Sequence, residues 1–378
     1  MTVEKRTKTK AEKKTKTKRR SRPLRVERSG ELIFMTCRTI EERYWLHPLL
    51  TCAASPPNRK AKRVVGALDR RMDNRYKSLA KDANKRMGKH CAPMTAERIK
   101  RMAKGLLGSA LGRAQENTGV EFFAFVGMSN HFHLVLRTPN LNFAAFARDF
   151  KSIVAKSINR ITGRRGPLWA RRADSQGVLD DEAAAERATY TLNNPCKADL
   201  VADPETWPGL NLAFGLCDSD DIAFEYLDLE AWYQKGRPEN IDDFFTTATV
   251  KLLPLPEMAD MDRASYARIV RKWTAEAVQD AEREDDTKEA HGIARKRQVL
   301  GVEEVLRVAF DARPKNPKFR RRPYYFGCSE LRRARYEEMS HTIAAYEEAS
   351  ARYRAGDLNA RFPEGTYPPP LLRPALAA

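Results

Sequence analysis

The sequence predicts an α+β domain, an antiparallel sheet with helices packed on one face, followed by a mainly helical region. Three observations lead there. Runs with strand character alternate with helical periodicity through the first 200 residues. Two of those runs, Glu121–Val126 and His131–Leu136, are separated by only four residues and read as a hairpin. After about Leu216 the strand runs give way to long charged stretches.

The chain opens with residues 1–23, nearly all Lys, Arg, Thr, Glu and Ser. With so little apolar surface the segment has nothing to offset its ordering entropy, so it is expected to be a disordered basic arm. It either tracks phosphates or only solubilises the chain. The first strand is expected at Leu32-Ile33-Phe34-Met35-Thr36-Cys37, and a Pro- and Lys-rich loop at 53–62. Basic amphipathic helices are expected over 64–87 and 95–115, the second with Thr95 as N-cap and Glu97 in the first turn, where the helix dipole favours a negative charge.

Gly127-Met128-Ser129-Asn130 supplies turn formers inside the hairpin, and Thr138-Pro139-Asn140 ends it. A helix follows over 143–161, its apolar stripe made by Phe146, Phe150, Ile153, Val154 and Ile158. Gly163 to Gly166 stops it, and 168–178 reads as an irregular strand. Asp180 or Asp181 caps a further helix running to about Asn194, with Pro195 ending it. The order is strand, helices, strand, strand, helix, strand, helix, which fits a split βαβ, ferredoxin-like arrangement. The expected division is a basic arm at 1–23, a domain at 24–216 and a mainly helical basic extension at 217–378. The extension holds long charged helices over 261–299 and 329–355, a basic run at 313–322 leading into Tyr324-Tyr325-Phe326, and an extended Pro-rich end.

The formal net charge is +19 over 378 residues. Such an excess repels itself unless a polyanion or counterions offset it, so nucleic acid is the expected partner. The bland alternatives are a solubility feature or a basic surface of the ribosomal kind. No apolar run is long enough to cross a bilayer, and the basic N-terminus lacks the apolar region of a signal peptide. The six cysteines are scattered without a CxxC pair, which argues against a zinc knuckle or a disulfide framework. A reducing, cytoplasmic setting is expected.

Side chains alternate along a strand, so His131, His133 and Val135 share one face while Phe132, Leu134 and Leu136 share the other. Two imidazoles at i and i+2 suit a divalent metal, and equally a pair of hydrogen-bonded structural histidines. The HxHxDH pattern of metallo-hydrolases is not met. Tyr190 and Asn194 stand four apart near the end of a helix. A phenol can attack a phosphodiester beside a metal, and an amide oxygen can complete the metal's ligands. Taken alone, Tyr190 also reads as a packing tyrosine. Asn130 either holds the turn or orients His131. Arg164, Arg165, Arg171 and Arg172 surround Trp169 and suit a single strand, where an aromatic ring stacks on a base; Trp169 is equally a core residue. Lys151 faces either DNA or solvent. Arg320 to Arg322 with the aromatic residues that follow is a second candidate DNA surface. His47, His90, His291 and His341 receive no role.

Together these motifs resemble a known family. Met128-Ser129-Asn130-His131-Phe132-His133-Leu134-Val135-Leu136 resembles the HUH signature of single-tyrosine transposases. The run from Tyr190 through Asn194-Pro195 and Ala198 to Leu200-Val201 is similar to a segment of the REP-associated tyrosine transposases. Lys151-Ser152, Ile158-Asn159-Arg160 and Gly166-Pro167-Leu168-Trp169 stand between them in the family's order, and Thr36-Cys37-Arg38-Thr39 resembles the end of its first strand. The resemblance spans residues 30–215. Ser129 stands where the family often has proline, and the insertion before Val120 is long.

The resemblance implies a ferredoxin-like fold with Mg²⁺ or Mn²⁺ held by His131, His133 and Asn194. It implies that Tyr190 is the nucleophile that forms a 5′-phosphotyrosine in single-stranded DNA. The partner it implies is DNA near hairpins of repeated palindromic elements, handled by a monomer or homodimer at the nucleoid. A domesticated hairpin-binding protein that does not cut is the alternative.

Overall fold

The computed structural model describes residues 24–52, 58–87, 94–290, 298–314 and 324–370. The expected basic arm, Arg320 to Arg322, His90, Cys91 and His291 lie outside the described residues.

In chain order the elements are β1 (Leu32–Arg38), α1 (Pro48–Thr51), α2 (Arg59–Gly66), α3 (Asp69–Met87), α4 (Ala96–Thr118), β2 (Glu121–Gly127), β3 (His131–Arg137), α5 (Phe143–Thr162), β4 (Asp174–Val178), α6 (Asp181–Leu192), α7 (Asn194–Lys197), β5 (Asn211–Ala213), β6 (Asp221–Leu227), α8 (Leu229–Gln234), β7 (Phe245–Lys251), α9 (Arg263–Ala290), α10 (Val302–Arg307), β8 (Tyr325–Phe326) and α11 (Ser329–Arg354). The main sheet has the strand order β5-β2-β3-β1-β4-β8. Every neighbouring pair is antiparallel except β4 and β8, which run parallel, so the sheet is mixed.

Strand β1 lies at the centre and is apolar on both faces, as a strand covered on both sides must be. Ile33, Met35 and Cys37 join Phe132, Leu134 and Leu136 of β3 in the larger core with α3, α4 and α5. On the opposite face Phe34, Phe123, Ala124 and Val135 pack against Ala183, Ala184 and Ala188 of α6. Helices therefore cover both faces, not one as the alternation led us to expect. The irregularity between Phe122 and Ala124 helps explain this, because the extra residue in β2 sends both Phe123 and Ala124 toward α6.

The expected helix over 64–87 is two helices, α2 and α3, with Ala67 and Leu68 between them. Thr95 caps α4, its hydroxyl accepting from Arg98 N at 3.1 Å, and Asp180 caps α6, accepting from Ala183 N at 2.8 Å. Pro195 does not end α6. The helix stops at Leu192, Asn193 turns at φ −85° and ψ 2°, and Pro195 sits in the first turn of α7, where its missing N–H costs nothing.

The compact units do not part at 216. One unit runs from Arg28 to Tyr336; among the described residues the other comprises 24–27 and 337–370. Within the larger unit β6 and β7 form a hairpin packed on α4. Gly105, Gly108 and Gly112 line the contact, and a Cβ on any of them would overlap Glu225, Phe224 or Thr249. Within the smaller unit Glu27 N donates to Gly365 O at 2.8 Å, and Phe362 packs on Tyr346 and Tyr353. Among the described residues no helix is long and apolar enough to cross a membrane.

Candidate active site

Strand β3 delivers His131 and His133 to the face that α6 covers, with ring centroids 4.9 Å apart. His133 is buried, at 4% exposure, between two rings. Phe34 of β1 stacks on it at 5.1 Å and 12°, and Tyr190 of α6 meets it edge-on at 5.4 Å. His131 Nδ1 is 2.7 Å from Asn130 Oδ1, while Asn130 Nδ2 donates to Glu42 O at 3.0 Å. The second bond fixes which way the amide faces. Its oxygen therefore accepts from Nδ1–H, which makes Nε2 the acceptor nitrogen of His131. The backbone oxygen of Asn130 also accepts from Thr39 N at 2.9 Å, so this residue both holds the turn and orients the histidine.

The two histidines and Tyr190 line one cavity of about 240 Å³. Strand β1 adds Phe34, Thr36 and Arg38; β4 adds Gln176; α6 adds Arg187; β8 adds Phe326. None of these lining side chains is a carboxylate. Arg38 stands directly across from His131 in the β1–β3 ladder. Tyr190 is flanked by cations, with the Arg187 guanidinium 5.1 Å and Lys197 Nζ 4.7 Å from its ring centroid. Burial, and then the charge of Arg187, hold the Lys197 ammonium below its usual pKa.

Of the four residues expected to carry the chemistry, the structure brings His131, His133 and Tyr190 together. Asn194 is buried at the start of α7 and does not line the cavity; the amide that does is Gln176. Among the described residues no cluster of three His, Cys, Asp or Glu side chains is placed to hold a metal. A divalent ion fits the donors present in a different way. Two imidazoles and a neutral amide bring no negative charge, so phosphate oxygens and water would fill the remaining positions.

The expected DNA-contacting residues fall into two groups. Three have clear partners inside the fold. Trp169 meets Phe132 edge-on at 5.6 Å and donates from Nε1 to Lys151 O at 2.9 Å. Lys151 Nζ donates to Arg171 O at 2.8 Å. Arg164 lies 4.8 Å from the Trp45 ring centroid and donates to Pro167 O at 2.8 Å. Arg165, Arg171 and Arg172 are exposed, Arg171 pairing with Asp174 at 2.8 Å. Their segment is tied to the cavity end of β1, because Ala170 N donates to Arg38 O at 3.0 Å.

Sequence reasoning gave no site role to Arg38, Gln176, Arg187 and Lys197, and it put Phe326 on a separate candidate DNA surface, whereas Phe326 lines this cavity. Helical spacing was the available sign for Arg187, three residues before Tyr190 and hence on its face. His47, given no role, is fully buried; it accepts from Leu49 N at 3.1 Å and bonds Val305 O at 2.9 Å.

No family model matches the chain, and no curated protein matches it. Among solved structures it is similar to a REP-associated tyrosine transposase bound to a REP hairpin. The identity is 16% and the TM-score 0.30, over 50% of this chain and 81% of that one.

Proposed function

We propose that this protein is a metal-dependent single-stranded DNA endonuclease and strand transferase of the single-tyrosine transposase class, with Tyr190 as nucleophile. One observation carries the reading. Two histidines of one strand and a tyrosine of a helix that begins some fifty residues later share a single cavity without a carboxylate. The resemblance of the motifs around His131 and Tyr190 to the REP-associated tyrosine transposases supports it. So does the run of antiparallel neighbours β2-β3-β1-β4 within the main sheet, with helices packed on it.

In this reading His131 and His133 would hold Mg²⁺ or Mn²⁺, with the Gln176 amide that lines the same cavity in place of the Asn194 that the resemblance implies. When bound, the ion supplies Lewis-acid polarisation of the phosphate. The chain's own groups do the rest. Tyr190 Oη attacks phosphorus in a DNA strand beside a hairpin. A bond forms between Oη and phosphorus, the bond from phosphorus to the 3′-oxygen breaks, and the phenolic proton ends on that oxygen. A 5′-phosphotyrosine and a 3′-hydroxyl result. Reversal by another 3′-hydroxyl rejoins strands without an external energy source. The exposed Arg165, Arg171 and Arg172 track the strand as it leaves the cavity.

The test is incubation of the full chain and Mn²⁺ with labelled single strands flanking palindromic hairpins. The expected result is a covalent adduct that Tyr190→Phe abolishes. A folded, Mn²⁺-loaded protein that binds hairpins but forms no adduct with any of them would overturn the reading in favour of a hairpin-binding protein.

A further inference from the structure

We infer that Arg187 is a phosphate ligand of this site, a catalytic residue whose guanidinium grips a non-bridging oxygen of the phosphate that Tyr190 attacks. The inference rests on the proposed phosphodiester chemistry and adds a residue to it.

Arg187 lies one helical turn before Tyr190 and lines the same cavity. Three rings hold its guanidinium in place, with centroids at 4.1 Å for Phe326, 5.1 Å for Tyr190 and 5.9 Å for Phe34. Its side chain is only 11% exposed, and its ion-pair partner Glu186 is 65% exposed. Its Nε is buried and has no hydrogen-bond partner among the described residues. Surface arginines do not need such a setting. A buried guanidinium N–H without an acceptor is costly and calls for one from outside the chain.

The charge around it says what that acceptor is. The cavity is lined by two arginines, two histidines and no carboxylate. Both arginines have a carboxylate partner, but Glu42 beside Arg38 is 28% exposed and Glu186 beside Arg187 is 65% exposed, so water screens the charge of Glu186 more. A divalent ion on the histidines would raise the positive charge further. An anion is the complement, and the planar fork of a guanidinium matches phosphate. As the bond from Oη to phosphorus forms and the bond to the 3′-oxygen breaks, the donated N–H stabilises the charge on the non-bridging oxygens. The ring closest to the guanidinium belongs to Phe326 of β8, outside the region of family resemblance, so residues near the C-terminus help to place this arginine.

Two measurements test the inference. The first is an NMR titration of the metal-free full chain with inorganic phosphate, read at the Arg187 Nε–Hε signal and assigned with Arg187→Lys. A saturable shift is expected, with phosphate affinity falling about tenfold or more in Arg187→Lys and Arg187→Gln. An unmoved signal, or equal affinities, overturns the proposal. The second compares adduct formation on a normal strand and on one with a methylphosphonate at the scissile position. Arg187→Gln is expected to slow the first about 10- to 100-fold and the second little. Arg187→Lys, which keeps the charge and stem, guards against a folding defect. If adducts form equally fast in wild type and both variants, Arg187 has no such role and the proposed function stands. If Arg187 binds phosphate but no strand is ever cut, the proposed function fails and the anion site stands.

Discussion

The imidazole of His133 and the phenol ring of Tyr190 meet edge to face, with centroids 5.4 Å apart and planes at 83°. One comes from the middle of a strand and the other from the last turns of a helix, and the contact places the proposed nucleophile beside the proposed metal ligand. It also makes Tyr190 a packing residue, since its ring touches Phe34 edge-on at 5.9 Å. Stability and chemistry therefore separate by substitution. Tyr190→Phe keeps the ring and is expected to shift the unfolding free energy by less than about 0.5 kcal/mol while abolishing adduct formation. Tyr190→Ala is expected to lose about 2–4 kcal/mol. Denaturant titrations of both variants beside the adduct assay check this. A strongly destabilised Tyr190→Phe would mean that the hydroxyl is structural.

Asn130 is expected to govern metal affinity without being a ligand. Its Oδ1 takes the Nδ1 proton of His131, and its Nδ2 is committed to Glu42 O. Asn130→Ala frees the imidazole to rotate or change tautomer, and Mn²⁺ affinity measured by calorimetry should fall about 10- to 100-fold. Unchanged affinity would show that the pair only shapes the turn.

How much of this was legible in the sequence depended on the range of the contact. The strand character of 131–136 and the alternation of its side chains put both histidines on one face, and the structure places them there. Tyr190 was found by motif. The place of Gln176 and Phe326 in the same cavity was not, because strand pairing over long separations leaves no local trace; β8 pairs with β4 some 150 residues away. The β6–β7 hairpin is local, but its seat on α4 lies far back in the chain and leaves no local trace either. A change of composition after Leu216 was read as a boundary, whereas packing on α4 continues across it. The break between α6 and α7 was misread because proline both ends helices and begins them.

The glycines of α4 give the hairpin its seat. Gly105, Gly108 and Gly112 recur at the spacing of one helix face, and a Cβ at Gly112 would lie 2.7 Å from the Thr249 carbonyl oxygen. In an exposed helix, Gly→Ala would stabilise by about 0.5–1 kcal/mol. Here the sign is reversed. Gly108→Ala and Gly112→Ala are expected to cost about 1–3 kcal/mol each through overpacking, whereas Gly66→Ala, with nothing within 4 Å, should be neutral or stabilising. Thermal melts of the three variants decide it, and equal effects would mean that the hairpin does not sit on α4.

His47 sets a pH limit on the fold. Burial, and then the nearby charge of Arg75, lower its pKa from 6.5 to about 3. The ring is neutral in the folded protein, with Nδ1 accepting from Leu49 N and Nε2–H donating to Val305 O. Below pH 6.5 the unfolded chain takes up a proton at this position that the folded chain does not, so unfolding is favoured as pH falls. The loss begins near pH 6.5, grows with each pH unit, and levels off near pH 3, where the folded form protonates too. By pH 5 it amounts to about 2 kcal/mol. His47→Gln cannot titrate. It is expected to be less stable than wild type at pH 7, through its altered hydrogen bonds, but to lose about 2 kcal/mol less between pH 7 and pH 5. Urea unfolding of both proteins at the two pH values isolates the effect, since every other titrating group is common to them. Parallel losses would place the proton uptake elsewhere and leave His47 as only a hydrogen-bonded tie between α1 and α10.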